Sequence, residues 1–107
     1  MAKILYIVRA TCRDAAQREV YKNWLVPHHT EGMMKFGATS VRVALFEVAD
    51  GASGPAIEAH YTYDSREAFD TYVREHAPAM RGDSAKHFPP DCGIVFERRL
   101  GTFVEER

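Results

Sequence analysis

The sequence predicts an α+β fold: a four-stranded antiparallel sheet with two helices on one face. Three observations predict it. Strand-like runs and helix-periodic segments follow one another in the order β-α-β-β-α-β. Crossovers between strands of one sheet are right-handed, which sends both helices to the same side. The chain has 107 residues, 46% apolar and 27% charged, enough for one globular domain with one modest core (residues 1–107).

Residues 3–10, KILYIVRA, read as strand one, with apolar side chains on both alternating faces. Thr11 and Asp14 have the spacing of a capping box, so helix one is expected over residues 12–26. Ala16, Val20 and Trp24 recur every four residues as its inner stripe, widened by Tyr21 and Leu25. Pro27 has no amide proton and disfavours helix at Val26, so a break is expected there. A short helical stretch over residues 28–36 follows, ended by Gly37 as a left-handed cap.

Residues 38–49 and 56–63 read as strands two and three, a hairpin joined by the turn DGASGP over residues 50–55. On strand three Ile57, Ala59, Tyr61 and Tyr63 face one way, and Glu58, His60 and Thr62 the other. Asp64 is the expected cap of helix two, whose inner face is Phe69, Tyr72, Val73, His76 and Met80. Gly82 is the expected stop, with Pro78 bending the last turn. Residues 83–91 read as loop, residues 92–104 as strand four, and Glu105–Glu106 as a frayed tail.

This order is the ferredoxin-like split βαβ arrangement. It leaves one sheet face without cover from the chain. Strand one nevertheless carries Leu5 and Ile7 opposite Ile4, Tyr6 and Val8, and strand two carries Ala44, Phe46 and Val48 opposite Val41, Val43 and Leu45. An uncovered face of this kind is a large apolar patch, and a homodimer through the sheet faces is expected.

Composition excludes several classes. A net charge of −1 offers no basic footprint for nucleic acid. The longest apolar run near the N-terminus, residues 4–8, is too short for a membrane span or a signal segment, so a cytoplasmic protein with no membrane partner is expected. Cys12 and Cys92 form no CxxC pair and read as ordinary thiols; Cys12, at the start of helix one, is the one placed for activation. No phosphate-binding glycine loop, dinucleotide fingerprint, GxSxG or HExxH occurs, so no cofactor and no metal are expected. The metal alternative would draw on His28, His29, Glu31 and His60.

Candidate chemistry centres on residues 24–37, WLVPHHTEGMMKFG. An imidazole there would move a proton, with Trp24, Met33, Met34, Phe36 and Tyr6 as apolar walls of a small-molecule pocket. The plainer reading of either histidine is a helix-end residue bonding a backbone carbonyl. On an unbroken helix His28 would share the Trp24 stripe, with His29 at its edge. Glu58 and His60, with Arg42 across the hairpin, would bind a phenol or a carboxylic acid, or form a polar ladder in the dimer interface. His76 lies on the apolar face of helix two, where a core role competes with a pocket role. Tyr6 is a pocket hydroxyl or a core ring, and Arg9 an anion anchor or a strand-end charge.

The element order resembles the dimeric α/β-barrel superfamily over nearly the whole chain. Within it, Trp24 followed by His29 and Gly37, and REHAPAMR over residues 74–81 followed by Lys86 and Phe88, resemble an uncharacterised domain-of-unknown-function family. The chain departs from that pattern at Glu31, where a proline is expected, and at Pro27. The superfamily includes cofactor-free monooxygenases, lactone isomerases, dehalogenating lyases and polyketide cyclases, beside members of no known activity. The resemblance implies a homodimer with a pocket between sheet and helices, and it favours His29 over His28. The expected function is a cofactor-independent enzyme (isomerase, lyase, cyclase or monooxygenase type) on a small aromatic, enol or lactone-like metabolite. His29 would be its general acid or base, and His60 or Arg42 would hold a developing oxyanion. Tyr6, Trp24, His28, Met33, Phe36, Glu58 and His76 would contact the ligand. The alternative is a non-catalytic ligand-binding or structural dimer.

Overall fold

Strand β1 (Ile4–Thr11) is the axis of the sheet in the computed structural model, which describes residues 2–48 and 54–107. It pairs antiparallel along its whole length with β3 (Ala56–Tyr63) on one side and β4 (Val95–Thr102) on the other. β2 (Ser40–Phe46) pairs antiparallel with β3, giving the order β2-β3-β1-β4. The expected α+β ferredoxin-like arrangement is the one found, and β3 has the expected limits. The expected end of strand two at Ala49, and positions 50–53 of the turn, lie outside the described residues.

Both crossings consist of two helical segments, the first as expected and the second where one helix is expected. The first is α1 (Ala15–Trp24) and α2 (Thr30–Lys35), joined by a broken turn over Leu25–His29. Val26 there is extended, at φ −115° and ψ 122°, as expected ahead of Pro27. Gly37, at φ +116°, closes α2: its N–H bonds the Met34 carbonyl, and the Ala38 N–H reaches back to Met33.

Thr11 does not cap α1. It is held in β1 between Ala56 and Val95, so the helix starts one turn later. Asp14 is the cap, accepting from the Gln17 N–H at 2.8 Å, while the Gln17 side chain accepts from the Arg13 N–H. The buried stripe of α1 also differs from the expected one. Val20 is 61% exposed and Ala16 is exposed, whereas Tyr21 and Leu25 are buried and Trp24 half-buried.

The second pair is α3 (Arg66–Glu75) and α4 (Ala77–His87). Ser65, not Asp64, caps α3, accepting from the Ala68 N–H at 3.1 Å. Pro78 does not bend a last turn. It stands in the first turn of α4, where its missing N–H has no helical partner to lose. The helix then runs through Gly82 to His87, taking up much of the expected loop, and stops before Pro89 and Pro90. Val73, expected on the inner face, is 38% exposed.

Between helices and sheet lies an aromatic core. Phe69 of α3 sits 5.1 Å from the Tyr6 ring and 5.3 Å from the Tyr63 ring, with Tyr61 and Tyr72 packed beside them. Every β1 and β3 residue in this core cluster (Ile4, Tyr6, Ala10, Ile57, Ala59, Tyr61, Tyr63) belongs to one alternation phase, so the helices cover one face only.

Gly82 tests the continuous α4. Nothing lies within 4 Å of where its β-carbon would stand. Gly82→Ala should raise stability by about 0.5–1 kcal/mol in chemical denaturation, as in an exposed helix interior. A loss of stability would mean that residue 82 ends a helix.

Candidate functional site

The site begins at the helix break. Pro27 supplies no N–H to continue the helical ladder, and the turn that leads into α2 holds its two histidines turned apart. His28 is exposed and meets Asp83 of α4 at 3.2 Å. His29 points inward and stacks on Trp24, with ring centroids 4.6 Å apart and planes at 29°. Its Nδ1 is buried with no hydrogen-bond partner among the described residues. Burial pushes the imidazole down to about 4; Asp83 opposes this and neighbouring His28 adds to it. His29 is therefore neutral at pH 7 and keeps one nitrogen free to accept a proton.

His29 borders a cavity of about 30 Å³ between the sheet and α4, beside Tyr6, Tyr21, Met33 and Tyr72. That volume holds about two waters. Burial, with Tyr6 adding and Arg81 and Arg98 opposing, pushes the Tyr72 hydroxyl up to about 12, so it stays protonated and can donate. Burial likewise raises Tyr21. The cavity opens at Arg81 and Ser84 of α4 and Phe96 and Arg98 of β4. These four residues also line a wider groove of about 280 Å³, which continues outward along Ala85, Phe88, Pro90 and Ile94.

A second polar group lies on the opposite sheet face. Arg9 donates to Glu58 at 2.5 Å, and His60 meets the other Glu58 oxygen at 2.8 Å. Burial raises the Glu58 carboxyl, but the hydrogen bonds from His60 and Arg9 outweigh it and hold the group below its usual range. Arg42 is the direct cross-strand partner of His60.

The expected residues thus divide. His29, Tyr6 and Met33 meet at the cavity, and Trp24 backs His29. His28 lies outside, on Asp83. Phe36 and His76 stack on each other at 4.1 Å and 13°, away from the cavity. Glu58, His60 and Arg42 are on the far side of the sheet, so neither His60 nor Arg42 faces His29 within a protomer. Strand alternation is the cause: Tyr6 and Val8 face the helices, while Ile7, the partner of His60, faces away. The same division separates His60 from the other three residues of the metal alternative. Cys12 is buried, and burial pushes its thiol up, the reverse of activation.

Arg81, Ser84, Tyr21, Tyr72, Met80, Phe96 and Arg98 also line the cavity and are absent from the expected site. Two signals could have found the arginines. Arg81 closes the 74–81 motif, and Arg98 shares its strand phase with apolar Phe96.

His29 makes stability depend on pH. Its folded value, about 4, lies below the ordinary 6.5, so as pH falls the unfolded chain binds the proton first. Stability is full above pH 6.5 and is lost as pH falls toward 4. In urea titrations wild type should lose up to about 3 kcal/mol more than His29→Gln across that range. Parallel profiles would show that His29 is not held neutral.

Among the described residues no helix is long and apolar enough to cross a membrane. No functionally curated protein matches the chain. Among solved structures, a dimeric ferredoxin-like protein from an uncultured marine organism is 14% identical, with TM-score 0.72 over 100% of this chain and 98% of that one. An ethyl tert-butyl ether d (ethd) family protein from Bacillus halodurans is 17% identical, with TM-score 0.66 over the whole of both chains. SnoaB, a cofactor-independent oxygenase from Streptomyces nogalater, is 11% identical, with TM-score 0.59 over 99% of this chain and 97% of that one. At these identities the likeness shows the fold alone. The family described as a domain of unknown function, DUF4286, matches residues 3–102, and the chain belongs to that family.

Proposed function

We propose that the protein is a homodimer through the open sheet face, and that each protomer holds a small-molecule site between the sheet and α4. There His29 takes up or returns a proton in a cofactor-independent reaction on a small aromatic, enol or lactone-like metabolite. The observation that carries this reading is the buried His29 imidazole on the wall of a cavity, its Nδ1 without a hydrogen-bond partner among the described residues. An unpaired buried nitrogen costs stability, and a ligand hydroxyl would satisfy it. A base held near 4 is weak in the empty site. On proton transfer the imidazolium would face the anion left on the ligand, which raises its proton affinity when it is needed. Fold-level likeness to a cofactor-independent oxygenase agrees with this reading.

The dimer is supported by the open face itself. Leu5 and Ile7 are half-buried at its centre, and the Arg9–Glu58–His60 group beside them is already paired, so covering it leaves no charge of that group alone. Structural neighbours of this fold are dimeric. Ile7→Glu tests the interface. Its cross-strand neighbours are His60 and Arg99, which tolerate a carboxylate in the protomer, whereas a facing copy would bury it. Light scattering should show a folded monomer for the variant and a dimer for wild type. A monomeric wild type, or a dimeric variant, contradicts the interface.

The small inner volume favours a second reading, a structural dimer whose helix side is filled by its own side chains. A thermal-shift screen with phenols, lactones and hydroxy acids separates the two. A ligand at a hundred times its Kd adds about 2.7 kcal/mol. Wild type should shift and His29→Ala should not. No shift with any compound supports the structural dimer, and a shift kept in His29→Ala removes His29 from the site.

A further inference from the structure

Arg81 of α4 and Arg98 of β4 line both the inner cavity and the outer groove, which places them at the neck where the two spaces meet. Among the described residues no carboxylate lines either space and neither arginine makes an ion pair. By contrast, Arg9 and Arg66 each rest on a carboxylate. Arg98 lies over the Phe96 ring, 6.0 Å from its centroid, which draws its charge over the groove floor. Two arginines at one opening, neither held by a carboxylate among the described residues, offer positive charge to an anion, and the planar guanidinium fork suits a carboxylate.

The spaces on either side of the neck restrict what carries that anion. Inward, there is room for about one small polar group before His29 is reached. Outward, the groove is walled by Phe88 and Ile94 and takes an apolar body. We propose that the ligand is a small, largely apolar carboxylic acid with a hydroxyl or carbonyl group next to its carboxylate, clamped between Arg81 and Arg98. The carboxylate sits at the neck, the hydroxyl or carbonyl enters the inner cavity toward His29, and the apolar body lies along Phe88 and Ile94. This inference rests on the reading of the cavity as a ligand site and adds the chemical class.

Calorimetric titration with two probes of similar shape tests it: salicylate, which has the carboxylate, and 2-hydroxybenzyl alcohol, which does not. Salicylate should bind wild type and the surface control Arg66→Gln alike, and bind Arg81→Gln and Arg98→Gln at least about tenfold more weakly. The neutral alcohol should bind wild type more weakly than salicylate and be indifferent to all three changes. Both arginines are exposed, so the variants should fold, which a denaturation midpoint checks. Binding of the alcohol with no preference for salicylate overturns the clamp and leaves the pocket standing. No binding of either probe overturns both. Displacement of salicylate by equimolar inorganic phosphate would reduce the neck to a general anion patch and overturn the assignment to carboxylic acids.

Discussion

The register of β1 is the constraint on which the rest of the molecule depends. β1 sets Tyr6 opposite Tyr61, Ile7 opposite His60, and Arg9 opposite Glu58. Side chains alternate across a strand, so this one alignment sorts the chain into an aromatic face under the helices and a mixed face with a paired charge group. A slip of β1 by one residue would put Leu5, Ile7 and Arg9 under the helices and Tyr6 outside. Pairing on both sides, with β3 and β4, makes such a slip costly across the whole sheet. The two polar groups of this protein are therefore on opposite faces by construction. The Glu58 group is internally satisfied. His29 is not.

What places His29 is a second, local constraint. The helix ladder stops at Val26–Pro27, and the chain restarts with its own phase. That change of phase sends His28 outward to Asp83 and His29 inward against Trp24. Packing then supplies the electrostatics: enclosure by aromatic side chains keeps the ring neutral, and α4 sits across from it with Arg81 at the opening. α4 can do this because Pro78 starts a new helix after the break at His76, which redirects the chain over the cavity.

The fold was legible in the sequence because it is written in periodicity. Ile57 to Tyr63 alternate cleanly, and Phe69 and Tyr72 have helical spacing, so element type and order follow directly. Boundaries were less legible. Thr11 has the chemistry of a cap, but the two strands flanking β1 hold it in extended backbone, and long-range pairing overrides a local preference. Gly82 has the look of a stop, yet glycine in an exposed helix costs only about 1 kcal/mol, and α4 runs through it. The site was half legible. The break at Pro27 and the composition of residues 24–37 pointed to His29. Its supposed partners did not follow, because deciding which sheet face His60 shares with which helix needs the register together with the crossover. Arg81 and Arg98 come from different elements, α4 and β4, and only the folded chain brings them to one opening.

The site turns on one imidazole, and a nitrogen-15 NMR titration of the five histidines, with His29 assigned by its loss in His29→Gln, tests its state most directly. The predicted result is a His29 ring that stays neutral through pH 6 and takes its proton near pH 4. A His29 that titrates at the ordinary 6.5 would mean that the ring is open to solvent, and it would contradict the buried, neutral proton acceptor on which the site is built.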